Sequence, residues 1–168
     1  VCSSDLGTTL FREHWHLGIK ELVRKAASKA MEDAQLTGEE IDALFVANCF
    51  SGQINGQLNV QALVASALGI PKACAIGGGE AAGAFAIAAA TDSIQAGTNN
   101  IALVVGVEKM SDITQSDLVT IGSQFLDHSE SEVGAGMGSM YAMIQRRYME
   151  VNDLDREHSD EIPVLSHA

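Results

Sequence analysis

At 168 residues the chain has the length of one ordinary domain, or of a piece of a larger one. A hydrophobic share of 46% is enough to bury a core, and no apolar run approaches the ~18 residues of a membrane span. The formal charge of −12 argues against nucleic acid or an anionic membrane surface as a partner, because both select for basic protein faces.

In chain order, "VCSSDL" (residues 1–6) reads as the translation of a sequencing-adapter read-through and is set apart from the fold, which leaves residues 7–168. Ile19, Leu22, Val23, Ala26, Ala27, Ala30, Met31 and Ala34 form an i, i+3, i+4, i+7 stripe, with Lys20, Glu21, Arg24, Lys25 and Glu32 facing away. That pattern predicts an amphipathic helix lying on a core. "TGEE" has capping-box spacing from Thr37 to Glu40, and "IDALFVANCF" reads as a strand. "SGQINGQ" reads as a Gly/Asn loop. Val60, Leu63, Val64, Ala67 and Leu68 then mark a second helix, stopped by Gly69 with Pro71 just beyond.

"KACAI" is a short strand, "EAAGAFAIAAATDSIQAG" a third helix closed by Gly97, and "IALVVGV" another strand. Residues 111–136 are polar and rich in Ser and Gly, and read as a long loop or lid. A helix is predicted over Met137 to Val151, an acidic helix or turn at "DREHSDEI", and a strand start at "PVLSHA", which breaks off inside an apolar run as a truncated chain would. Helices alternating with short, continuously apolar strands predict an α/β fold with a mostly parallel sheet covered on both faces.

The third helix is unusual: positions 81–90 carry no polar or charged side chain, so it is expected to be internal and shielded from water. Glu80 stands at its start. There the free backbone N–H groups and the helix dipole favour an anion by roughly 0.3–2 kcal/mol. Gly83 would admit the close approach of another backbone. This physics does not decide between a helix-start carboxylate, the commoner case, and a site residue. The three cysteines (Cys2, Cys49, Cys74) are odd in number and lack metal-ligand spacing, so no metal is expected and a reducing cytoplasm is the natural compartment.

"GVEKMSD" following "SIQAGTNNIALVV", after a Gly-rich approach to a small-residue helix, resembles the N-terminal half of a thiolase. More narrowly, it resembles the archaeal-type and sterol-carrier-type thiolase-like acyltransferases. "LGIKELVRKAASKAMEDAQLTGEEIDALFV", "GQLN", "ALGI" and "MYAMIQRRYM" are similar to further stretches of that family, in the family's order. The resemblance implies a thiolase-like layered fold, a mostly parallel sheet around a buried central helix, with the lid at 111–136. It implies acyl transfer on acyl-CoA thioesters, with coenzyme A entering as substrate and no bound cofactor. It also implies a homodimer formed through "IALVVGV" and a zinc-ribbon/OB-fold protein partner.

In that family a cysteine at the start of the buried helix is the nucleophile, because the location lowers the thiol pKa and supplies backbone donors. The family places it about 28 residues before the Glu of "G-x-E-x-M" and about 17 before the helix-ending Gly. Counted back from Glu108 and from Gly97, both spacings reach Glu80, so the nucleophile position here carries glutamate. Cys74 in "CAIGG" is the alternative nucleophile. Its helix would have to run through Gly77, Gly78 and Gly79, each costing about 1 kcal/mol, so Cys74 is expected in the strand as a small buried hydrophobe.

Gly79, Gly83, Glu108 and Met110 are the substrate-side candidates on the same resemblance, and Ser51–Asn59 would border the site. His128 in the lid is a further substrate-side candidate, and His167 lies in a family-like position, although a lone histidine is more often a surface residue. His14 and His16 receive no chemistry. The family's "GHP" and "C-x-G" motifs do not occur in the 168 residues, so this stretch is expected to be inactive alone. Two functions stay open: an acyltransferase, and a non-catalytic scaffold or acyl-CoA-binding subunit.

Overall fold

The computed structural model describes residues 5–166, and the chain divides into two compact units after Thr114. His167 and Cys2 lie outside the described residues. The first unit contains α1 (Ile19–Ala34), β1 (Ala43–Ala47), α2 (Ser51–Ile54), α3 (Val60–Leu68), β2 (Ala73–Ile76), α4 (Ala82–Gln95) and β3 (Ala102–Gly106).

The predicted stripe of α1 reaches the core through Ile19, Leu22, Val23 and Ala27. The Glu40 carboxylate accepts from both the amide and the hydroxyl of Thr37, at 2.8 and 2.9 Å, which starts a short 3-10 turn over Gly38–Glu40. Gly69 ends α3 in the left-handed region at φ 74°. The stretch read as a Gly/Asn loop opens instead with the single helical turn of α2, and its Ser51 is fully buried. The Asn48 side chain fixes that turn: it accepts from the Ser51 amide at 3.2 Å and donates to the Ser51 hydroxyl at 2.8 Å.

Among the described residues the sheet has three strands in the order β2-β1-β3, all parallel. Leu44 pairs with Ala73 on one side and Leu103 on the other, so β1 is the central strand, and all five of its residues are buried. Its side chains alternate between two cores. Leu44 and Val46 join Ile19, Val23, Val60 and Val64 beneath α1 and α3. Ala43, Phe45 and Ala47 meet Ala82, Ala86 and Ala90 of α4 on the opposite face. The result is a helix–sheet–helix layering with α4 as the helix of one layer. No helix among the described residues is long and apolar enough to cross a membrane.

The start of β3 is tied to β1 by Asp42, whose carboxylate accepts from the Asn100 amide at 2.7 Å and the Ile101 amide at 3.1 Å. Those two amides hold the Asp42 carboxyl below its ordinary range. A carboxyl depressed in the folded state contributes stability that is present above its unfolded pKa and lost as pH falls through its folded pKa. Thermal unfolding followed from pH 7 downward should therefore show a loss beginning below about pH 4, and Asp42→Asn should flatten that part of the profile.

In the second unit the segment read as a loop or lid carries α5 (Gln115–Ser123) and α6 (His128–Glu132). Asp127 caps α6 by accepting from the Ser129 amide at 2.9 Å, and α7 (Met137–Asn152) follows the predicted helix closely. The strand predicted at "PVLSHA" is not formed, because α8 (Arg156–Ser166) runs through its described part.

Candidate functional site

In a parallel sheet the loops at the carboxyl ends of the strands and the starts of the following helices open onto one edge, where α/β proteins bind ligands. Here that edge holds a cavity of about 520 Å³ whose wall includes Asn48 and Cys49 after β1, Glu108 after β3, and Gly79, Glu80 and Gly83 around the start of α4. Residues 7–12 and His14 also line it.

The approach to α4 is set by glycine. Gly78 has φ +144° and Gly79 φ +57°, conformations that L side chains rarely adopt. A Cβ on Gly78 would also come within 2.5 Å of the Phe85 ring, which lies over it. Gly78→Ala is therefore expected to destabilise the chain by about 1–3 kcal/mol, read as a lower urea midpoint at unchanged slope. From these glycines the chain makes a 3-10 turn over Gly79–Ala81, with Glu80 at its centre, and continues into α4.

Glu80 thus stands at the helix start and faces the cavity, but it is exposed. The water-shielded entrance expected from the all-apolar text is not built by the described residues. Ala82, Ala86 and Ala90 seal one face of α4 on the sheet, while Phe85 and Ile87 on its other flank are exposed. Gly83 likewise faces open space, with no close backbone.

Glu108 is the best-anchored member of the site. Its carboxylate accepts from the Cys49 amide in a short hydrogen bond and from the Phe50 amide at 3.2 Å, which clasps the end of β1 to the end of β3. Burial raises the Glu108 carboxyl above its ordinary range, and the Cys49 and Phe50 amides and the Asn48 side chain oppose that only in part. Burial, then the nearby carboxylates of Glu108 and Glu80, push the Cys49 thiol up.

Of the sequence candidates, Gly79, Glu80, Gly83 and Glu108 come together on one cavity. Met110 is half-buried and is not part of that wall. Cys74 lies in β2, as expected, and not at a helix start, but it is exposed where a buried side chain was predicted. Cys74 lies in register with Phe45, whose side chain faces α4, but the cluster around Ala82, Ala86 and Ala90 does not include it. His128 belongs to the second unit, where its ring pairs with Glu132 at 3.1 Å and is exposed. Cys49 and His14 also line the cavity, and the sequence reading left both unassigned. The signal available for Cys49 was its place immediately beyond a parallel strand.

A family model, "Thiolase, N-terminal domain", matches residues 6–168. The chain is 31% identical to an acetyl-CoA acetyltransferase of Methanocaldococcus jannaschii, covering 96% of this chain and 41% of that protein. It is 28% identical to an acetyl-CoA acetyltransferase of Methanothermobacter thermautotrophicus, covering 99% of this chain and 44% of that one. In structure it resembles the 3-oxoacyl-[acyl-carrier-protein] synthase III of Aquifex aeolicus, with a TM-score of 0.53 and 26% identity over 64% of this chain and 35% of that one. The chain spans less than half the length of these relatives. With the model covering nearly all of its length, the chain belongs to the thiolase superfamily, as the N-terminal domain.

Proposed function

We propose that the protein transfers acyl groups to or from acyl-CoA thioesters, and that Glu80 occupies the family's nucleophile position. The observation that carries this reading is the placement of Glu80 at the start of α4 and on the cavity at the carboxyl edge of the sheet. A carboxylate that attacked a thioester would form a mixed anhydride, which lies well above the thioester in energy. Glu80 is better suited to act as a base, taking a proton from the attacking group as the carbonyl is engaged. Acyl-CoA is then the ligand. The 168 residues by themselves are expected to be inactive, because the "GHP" and "C-x-G" motifs of the resemblance do not occur in them. A homodimer, a zinc-ribbon/OB-fold partner and a cytoplasmic location complete the reading.

The test is exchange of labelled CoA into acyl-CoA by the full-length protein. Exchange supports the enzyme. Acyl-CoA binding without exchange indicates the second reading, a thiolase-fold scaffold, which is favoured by the glutamate at the nucleophile position. Absence of both removes acyl-CoA handling altogether.

A further inference from the structure

Asn55 and Gly56 close the turn after α2, and we infer that they form a self-modifying site. Asn55 deamidates spontaneously there, and the product undoes a contact that ties two loops of the cavity rim together. Asparagine followed by glycine is the pair in which this chemistry is least hindered, because glycine leaves the next backbone nitrogen uncovered. Gly56 is exposed, sits at φ 63°, and has open space where a Cβ would stand. No backbone carbonyl among the described residues accepts from its amide. The nitrogen that must attack is unencumbered.

The side chain it attacks is engaged. Asn55 Nδ2 donates to the Lys109 carbonyl oxygen at 3.1 Å, which joins the loop after β1 to the loop after β3. Its Oδ1 is buried with no partner among the described residues, so Nδ2 supplies the polar attachment of this side chain. The same loops are tied again beside the cavity. Asn48 Nδ2 donates to the Val107 carbonyl oxygen at 2.7 Å, and the Glu108 carboxylate receives the Cys49 and Phe50 amides. A carboxylate at position 55 would replace the donor with an acceptor and set it against the Lys109 carbonyl. One hydrogen bond is lost and a repulsion takes its place.

In the reaction the Gly56 nitrogen gives its proton to solvent and attacks the side-chain carbonyl carbon of Asn55. Nδ2 leaves as ammonia, and a succinimide ring closes between the two residues. Water then opens the ring at either carbonyl, leaving aspartate or isoaspartate. At ψ 1° the Asn55 backbone holds the Gly56 nitrogen away from that carbon. Ring closure therefore waits for the turn to swing open and for Nδ2 to leave Lys109. The fold guards the amide, and once it is hydrolysed the tie cannot re-form.

The experiment holds the full-length protein in mildly alkaline buffer and follows the peptide containing residue 55 by mass spectrometry. An isoaspartyl methyltransferase marks the isoaspartate form. The expected result is steady conversion at residue 55, about tenfold slower than in a synthetic peptide of residues 51–59, because the turn must open first. Gly56→Ala should slow conversion about tenfold. Asn55→Gln should abolish it, and it carries the comparison if Gly56→Ala does not fold. Asn55→Asp, which reproduces one product, should lower the urea midpoint and speed amide hydrogen exchange at residues 48–50 severalfold. Residue 55 remaining an amide while the peptide converts, or conversion confined to another asparagine, overturns the site. An Asn55→Asp protein with wild-type midpoint and exchange overturns its effect on the rim.

Discussion

Glu80→Ala and Glu80→Gln should each slow CoA exchange by the full-length protein by about 10²-fold or more, with acyl-CoA affinity changed only a few-fold. The paired substitutions separate two roles. A carboxylate that merely sits at a helix start is mimicked well by glutamine, which keeps the shape and an acceptor oxygen. A base is not, because the amide cannot take a proton. Glu80 lies in the exposed 3-10 turn ahead of α4, so neither change should disturb folding greatly. An unimpaired Glu80→Gln protein would reduce the residue to its structural role.

Leu44→Ala should be the most damaging single truncation in the sheet. Leu44 is wholly buried in the central strand, between Ala73 and Leu103 and against the Val60 and Val64 face of α3. Removing it deletes buried methyl groups and leaves a cavity in a place that cannot collapse without moving both neighbouring strands. The expected loss is about 3–5 kcal/mol, with a fall in melting temperature of roughly 10 °C or more. Phe85→Ala is the matched control: the larger ring is 55% exposed in this chain, and its loss should change stability by no more than about 0.5 kcal/mol. Equal effects from the two would contradict the burial of Leu44 and the exposure of Phe85.

Elements with a long apolar period could be read directly. The α1 stripe spans four turns and the α3 stripe ends on a left-handed Gly69, so pattern and stop signal agree with the structure. The turn at Ser51–Ile54 is too short to show a period, and it is held by Asn48 through hydrogen bonds that no composition reveals. The helices α5 and α6 arise in polar text rich in Ser, where local capping such as Asp127 decides the outcome. Cys74 was misread because exposure depends on how far a packed helix covers the sheet face, which the sequence of one strand does not show.

The candidate site divides in the same way. The place of Glu80 at a helix start was legible because position relative to a helix start is local. The place of Cys49 on the cavity was not, since the Glu108 contact that holds its amide forms only through the pairing of β1 with β3. The exposed flank of α4 was hidden by its own composition. Alanines on every side suggest burial on every side, whereas the described residues cover only the line through Ala82, Ala86 and Ala90.

The arrangement of strands also orders events during synthesis on the ribosome. The central strand is translated first yet has no neighbour of its own until β2 emerges, when Leu44 can find Ala73. Its other side waits much longer, until Ala102 is available to Ala43. Because closing the shorter loop forfeits less chain freedom, the β1–β2 ladder with α3 across it should consolidate ahead of β3. The rim that brings residue 49 to residue 108 would then be the last part of this unit to form, and a nascent chain stalled before it would have half a sheet and no cavity.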